Sequence, residues 1–102
     1  MNNIDAYVKD YILKEQSILS QLNIPEISIA VDVLRKAIQN GKTIYCFGNG
    51  GSAATASHFA NDFNKSINAP LGNKFNFICL NDNIATLMAI ANDISYNEVF
   101  KF

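Results

Sequence analysis

Apolar residues recur in two different rhythms along this chain. Between residues 4 and 22, Ile4, Val8, Tyr11, Ile12, Ile18, Leu19 and Leu22 fall largely at helical spacing, which predicts a helix with one broad apolar stripe and a polar far face. Pro25 and Glu26 suit the first turn of a second helix, in which Ile27, Ala30, Val31, Leu34, Ala37 and Ile38 share a face. Arg35 and Lys36 lie toward its C-terminal end, where cations complement the helix dipole, and Asn40 and Gly41 close it. The rhythm then changes. "TIYCFG" (43–48) and "FNFICL" (75–80) are β-rich runs with little polar alternation, Asn76 excepted, as expected for strands covered on both faces. Each is followed by a helical pattern, from about Ser52 to Lys65 and from about Ile84 to Ala91. "SINAPLGNK" (66–74), with Pro70 and Gly72, reads as the loop between them.

Helix, helix, then strand-helix-strand-helix predicts an α/β layer with a parallel sheet. Residues 1–41 form the expected helical hairpin and 42–102 the first βαβα portion. Two strands apolar on both faces make too small a sheet, since about three or more are normally needed. The expectation is therefore a chain cut in mid-fold. A complete small domain whose edges are closed by dimerisation stays open as the alternative.

Composition narrows the function. At 102 residues and 49% apolar, the chain has the makings of one globular domain or part of one. Eight basic residues against nine acidic ones give a net charge of −1 with no like-charged block. That balance does not build the basic footprint that nucleic acid demands, and leaves small polar ligands and protein partners. No run approaches the roughly 20 apolar residues of a membrane span, and no basic start leads into an apolar core, so the expected setting is cytoplasmic. Cys46 and Cys79, 33 positions apart in apolar runs, match neither a disulfide framework nor a zinc spacing and read as reduced core residues.

The chemistry concentrates in "TIYCFGNGGSAATASHFANDF" (43–63). A strand that ends near Phe47 and reverses into a helix near Ser52 needs backbone angles open mainly to glycine. Gly48, Gly50 and Gly51 also clear side chains from a ligand's path. Ser52 is the expected N-cap, and the N–H groups of the first turn, with the helix dipole, attract an anion such as a phosphate ester. A plain tight turn with a serine cap is the competing reading. Gly48-Asn-Gly50-Gly51-Ser52-Ala53 also fits G-x-G-x-x-[GA], but the acidic residue of a dinucleotide site belongs about 20 positions on, whereas Asp82 stands 34 beyond Gly48. No Gly-Lys-Ser/Thr follows, which excludes a P-loop. His58, the sole histidine, and Asp62 share a helical face. They suit a structural pair, a divalent-metal site short of its usual three or four ligands, or divided proton transfer.

"GNGGSAATASHFANDF", with "LNDNIATLMAIANDISYNEVF" downstream, resembles the phosphoheptose isomerase group of the sugar isomerase (SIS) domain superfamily. The likeness runs from the N-terminal helices to Phe102 and matches about the first half of a family member. It implies a doubly wound parallel-sheet SIS fold, aldose-ketose isomerisation of sedoheptulose 7-phosphate to D-glycero-D-manno-heptose 7-phosphate, zinc, and a homotetramer with active sites shared between subunits, in which the N-terminal apolar stripe suits the helix-bundle contact; packing of that stripe on its own domain is the alternative.

By that resemblance, Asn49, Gly50 and Gly51 match the substrate-binding loop and Ser52 a serine on the phosphate. Asn92 and Asp93 match a second substrate-contacting pair. His58 matches a zinc-binding histidine. Asp62 stands where the family usually has a glutamate that binds metal and transfers the proton; it is one methylene shorter. "NKSI" (64–67) replaces the usual Gly-Arg-aromatic segment. From the residues alone, Asn92 also suits a cap for a helix ending near Ala91, with Asp93 opening the next turn. Some SIS members are binding or regulatory modules without catalysis, including one that binds a replication initiator, and that class is the alternative to an isomerase.

Overall fold

The computed structural model describes residues 2–67 and 75–101. Most of the expected 66–74 loop, residues 68–74, lies outside them. The chain divides into two compact units, 1–32 and 33–102.

In the first unit, α1 (Asn2–Ser20) carries Asp5 in its first turn, where a carboxylate suits the positive end of the helix. Its apolar stripe is exposed, Tyr11 by 58% and Leu19 by 63%. Ser20 Oγ donates to the Ser17 carbonyl at 2.8 Å as the helix ends. The next helix, α2 (Ile24–Gln39), is capped by Asn23, whose side-chain oxygen accepts from the Glu26 N–H at 3.1 Å.

The second unit takes in the end of α2 and then β1 (Ile44–Cys46), α3 (Gly51–Asn61) and a π-helical stretch (Asp62–Ile67). After the gap in the described residues come β2 (Phe77–Cys79), a 3₁₀ turn (Leu80–Asp82), α4 (Ile84–Asp93) and a second 3₁₀ turn (Tyr96–Glu98). This is the expected βαβα order, and β1 pairs with β2 in parallel, Ile44 opposite Phe77 and Cys46 opposite Cys79. Gly41, at φ +67°, ends the approach to β1 in a left-handed conformation that glycine adopts without strain.

Ala56 and Ala60, four residues apart on α3, give the helix a shallow face that lies close on the strands. With Phe77 and Cys79 they form the buried core, and Ile44, Cys46 and Phe63 pack around it. The Phe63 ring stacks on Phe77 with centroids 4.7 Å apart, and Phe59 meets Phe77 edge-on at 5.4 Å. Both cysteines are free thiols, Cys79 buried and Cys46 half-buried.

Among the described residues, α3 covers one face of the strands. Tyr45 and Ile78, opposite each other in register, are 58% and 40% exposed, because α3 is placed on the other side, over Cys46 and Phe77.

α-Helical geometry also stops earlier than the pattern to Lys65 suggests. The Asp62 N–H is shared between the His58 and Phe59 carbonyls, and the wider π turn follows. Widening re-aims the side chains that follow, here Phe63 and Asn64. Asn64 Nδ2 donates to the Phe77 carbonyl at 2.6 Å, and its Oδ1 accepts from the Phe77 N–H at 3.2 Å. Ile44 N–H bonds to the Asn76 carbonyl, so the polar atoms of Phe77 face away from β1. A side-chain amide thus occupies the outer edge of β2.

Candidate active site

The three loop glycines do different work. A Cβ on Gly48 would lie 2.7 Å from the Ser52 carbonyl carbon, so only glycine allows the strand end to pass against the helix start. Gly50 sits at φ +56°, where an L side chain is strained. Gly51 needs neither argument: it has open space around its Cα.

Ser52 is not the N-cap. Gly50 occupies the cap position, and no side chain bonds there. The left-handed turn at Gly50 starts the helix at Gly51, which places Ser52 second in it. The Ser52 N–H donates to the Asn49 carbonyl at 3.0 Å and the Ala53 N–H to the Gly50 carbonyl at 3.0 Å. What the cup exposes is Asn49, Gly50, Gly51 and the Ser52 side chain.

Three consecutive residues at this strand end are each held by a different residue from the 81–100 stretch. The Phe47 ring stacks on Phe100 with centroids 4.5 Å apart. Gly48 is gripped at both backbone polar atoms by Asn81, whose Oδ1 accepts from the Gly48 N–H at 2.9 Å and whose Nδ2 donates to its carbonyl at 2.8 Å. Asn49 Oδ1 accepts from the Tyr96 hydroxyl at 2.7 Å. Asn81 and Tyr96 carry no local sequence signal for these roles, since their partners lie 33 and 47 residues away.

His58 and Asp62 meet on one helix face as their spacing requires, Nε2 to Oδ1 at 3.4 Å, with side chains 76% and 51% exposed. That separation is close to the about 3.3 Å edge between two ligands of a tetrahedral ion bonded at about 2.0 Å, so this imidazole and carboxylate fit two corners of a zinc site. Among the described residues, no third His, Cys, Asp or Glu gathers with them. His58 follows Ser52 by six residues, about 9 Å along the helix axis.

Asn92 and Asp93 are the last two residues of α4, not a cap and a new turn; Ile94 is the C-cap. The helix runs on because the Ile94 and Ser95 N–H groups both find the Ile90 carbonyl, at 2.9 and 3.1 Å. Both side chains are exposed, and Asn92 Nδ2 donates to Asp93 Oδ1 at 3.0 Å. At the other end, Asn83 caps α4 by accepting from the Thr86 N–H at 3.2 Å.

Asp82, the acidic residue a dinucleotide reading needs, accepts from the Ser57 hydroxyl at 2.8 Å and so ties the end of β2 to α3. His58, Ser57 and Asp82 line one open groove of about 1280 Å³ along the β2 edge. It is too open to define a ligand, and the glycine cup is the more specific feature.

A match to the SIS domain family spans residues 9–101. The chain belongs to the SIS domain family. Within it, the chain is 40% identical over 96 residues to the phosphoheptose isomerase of Thermodesulfovibrio yellowstonii, covering 93% of this chain and 46% of that protein. It is 37% identical over 95 residues to a probable phosphoheptose isomerase of Thermoplasma acidophilum, covering 90% and 50%. The fold matches the structure of phosphoheptose isomerase GmhA from Neisseria gonorrhoeae with a TM-score of 0.69 at 30% identity, over 97% of this chain and 50% of that one. This SIS chain thus spans about half the length of the relatives it matches, and its helices and βαβα unit correspond to part of an SIS fold.

Proposed function

We propose that the protein carrying this SIS chain is an aldose-ketose isomerase that converts sedoheptulose 7-phosphate to D-glycero-D-manno-heptose 7-phosphate in the cytoplasm. The observation that carries the reading is the glycine cup at the start of α3, whose three leading residues are fixed from the 81–100 stretch, in a chain 40% identical to a phosphoheptose isomerase. Asn49, Gly50, Gly51 and Ser52 hold the substrate, with the Ser52 hydroxyl and the positive end of the α3 dipole at the phosphate. Asn92 and Asp93, exposed at the end of α4, provide a second set of contacts.

Isomerisation needs a base that takes a proton from C1 of the ketose and returns it to C2, while the C2 carbonyl oxygen gains a proton and O1 loses one. Asp62 fills that role, its reach shorter by a methylene than a glutamate's. His58 and Asp62 would hold a zinc ion, with further ligands from beyond the described residues; when bound, the ion supplies positive charge toward the enediolate oxygens. The exposed stripe of α1 suits a helix contact between subunits of a homotetramer. The test is turnover of sedoheptulose 7-phosphate by the whole purified protein with metal analysis of the same sample. Absence of turnover alongside tight sugar-phosphate binding would favour the second reading, a non-catalytic SIS binding or regulatory module. That reading is favoured by the exposure of His58 and Asp62 and by the lack of a third metal-binding side chain beside them among the described residues.

A further inference from the structure

We infer that Tyr96 is a positioning residue for substrate recognition: its hydroxyl fixes the side-chain amide of Asn49 so that the NH₂ end is offered to the cup. The inference rests on the proposed role of Asn49 at the substrate.

An asparagine amide has one acceptor oxygen and one donor nitrogen, and on an exposed loop it rotates freely between them. Here the Tyr96 O–H donates to Asn49 Oδ1 at 2.7 Å. That bond ties the oxygen end to Tyr96, filling one of its two lone pairs, and leaves the two N–H donors for a ligand. The cup then discriminates by chemistry: it accepts an oxygen that offers lone pairs, such as a phosphate oxygen or the carbonyl oxygen of a ketose.

The bond is not an accident of two long side chains meeting in solvent, because both of its ends are anchored. On the loop side, the preceding residue Gly48 is held at both polar atoms by Asn81, so the Asn49 backbone starts from a fixed point. On the tyrosine side, α4 ends with two N–H groups on one carbonyl, Ser95 is extended, and the chain turns into the 3₁₀ segment that begins at Tyr96. Three and four residues further on, Val99 is buried and Phe100 stacks on Phe47. The 96–100 segment therefore meets the loop on either side of Gly48, and the hydroxyl arrives at Asn49 with little freedom left to lose. Tyr96 itself is 61% exposed, so its hydroxyl contributes little to the stability of the fold.

The experiment uses the whole protein, with sedoheptulose 7-phosphate as the probe, and Tyr96→Phe, Asn49→Ala, Asn49→Asp and the Tyr96→Phe/Asn49→Ala double variant. Tyr96→Phe removes one oxygen and is expected to weaken binding and raise KM roughly 3- to 10-fold, the range for one net hydrogen bond, with kcat and melting temperature held. Asn49→Asp keeps the acceptor for Tyr96 but loses the donors and is expected to bind no better than Asn49→Ala. The double variant should match Asn49→Ala alone, which a merely structural tyrosine would not do. A second readout needs no ligand. The side-chain ¹⁵N–¹H pair of Asn49, assigned by its loss in Asn49→Ala, should shift in Tyr96→Phe. An unmoved Asn49 amide signal overturns the inference whatever the ligand result, and so does unchanged affinity in Tyr96→Phe. A wild-type protein that binds no sugar phosphate, with the amide signal still shifting, overturns the isomerase proposal while keeping Tyr96 as the residue that orients Asn49.

Discussion

The amide of Asn81, just past β2, takes both polar backbone atoms of Gly48, just past β1, with bonds of 2.9 and 2.8 Å. The two strand ends are thereby joined where the ladder has stopped, and the loop that follows Gly48 begins from a defined position. Removing the clamp with Asn81→Ala leaves two half-buried backbone groups without their partner. Stability should fall by about 2 kcal/mol in a denaturant melt. Asn81→Asp keeps an acceptor for the N–H but sets a carboxylate against the carbonyl, and should be no more stable than the alanine variant. Wild-type stability in both would show that the clamp does not hold the loop.

Gly48→Ala tests the close approach of strand end and helix start. The new methyl meets backbone atoms of Ser52 at 2.7 to 2.8 Å, where no flexible side chain can yield. A loss of about 2 kcal/mol is expected, in the range for overpacking. Gly51→Ala, with open space and no strained φ, should cost under about 0.5 kcal/mol in the same melt. Equal effects at the two positions would contradict this division of labour.

His58 and Asp62 are exposed enough that chemistry and stability separate cleanly. Surface ion pairs contribute about 0 to 1 kcal/mol, so Asp62→Asn and His58→Ala should melt close to wild type. If Asp62 moves the proton, Asp62→Asn lowers kcat by roughly 10²-fold or more while sugar-phosphate binding survives. Zinc lost in His58→Ala but present in wild type, read by elemental analysis, supports the metal assignment. Full turnover in Asp62→Asn would defeat the catalytic one.

Burial pushes the Cys46 thiol above its ordinary value of 9.0, with Cys79 and Asp82 adding to the shift. The thiol also donates to the Ala56 carbonyl at 3.3 Å. A raised value keeps the proton on in the folded state. Alkylation of Cys46 by iodoacetamide at pH 8 to 9 should therefore lag behind that of an unfolded control. In stability terms, the unfolded chain releases this proton first, so folding loses free energy as pH rises through about 9 and is unaffected by this group below it. Alkylation at the unfolded rate would contradict the burial.

The parts of this fold legible in the sequence are those whose physics is local. The βαβα order followed from a switch in hydrophobic period, and the His58–Asp62 meeting from a spacing of four on a helix. Gly50 followed from the reversal it makes. Boundaries were less legible. Ser52 has the side chain of a cap, but a glycine with positive φ took the position. Asn92 reads as a cap and Asp93 as the start of a new turn, yet the Ile94 and Ser95 N–H groups both bond the Ile90 carbonyl and α4 takes in both residues before it ends. Asn64, Asn81 and Tyr96 were invisible because their partners are 13 to 47 residues away and nothing nearby in sequence marks an asparagine as a clamp. The apolarity of both strand faces is matched on one face by α3, while Tyr45 and Ile78 lie on the face that α3 does not reach, in a chain that spans about half the length of its relatives.

Asn64 bears on what the margin of this sheet avoids. An unguarded strand margin is a template: any extended chain can lay its amides along it, including a second molecule in a crowded cell. By offering one donor and one acceptor to Phe77, Asn64 imitates a single residue of such a chain and denies that margin to others. A chain arriving on that margin would have to displace the Asn64 amide at Phe77, so a single side chain counts against edge-to-edge pairing there.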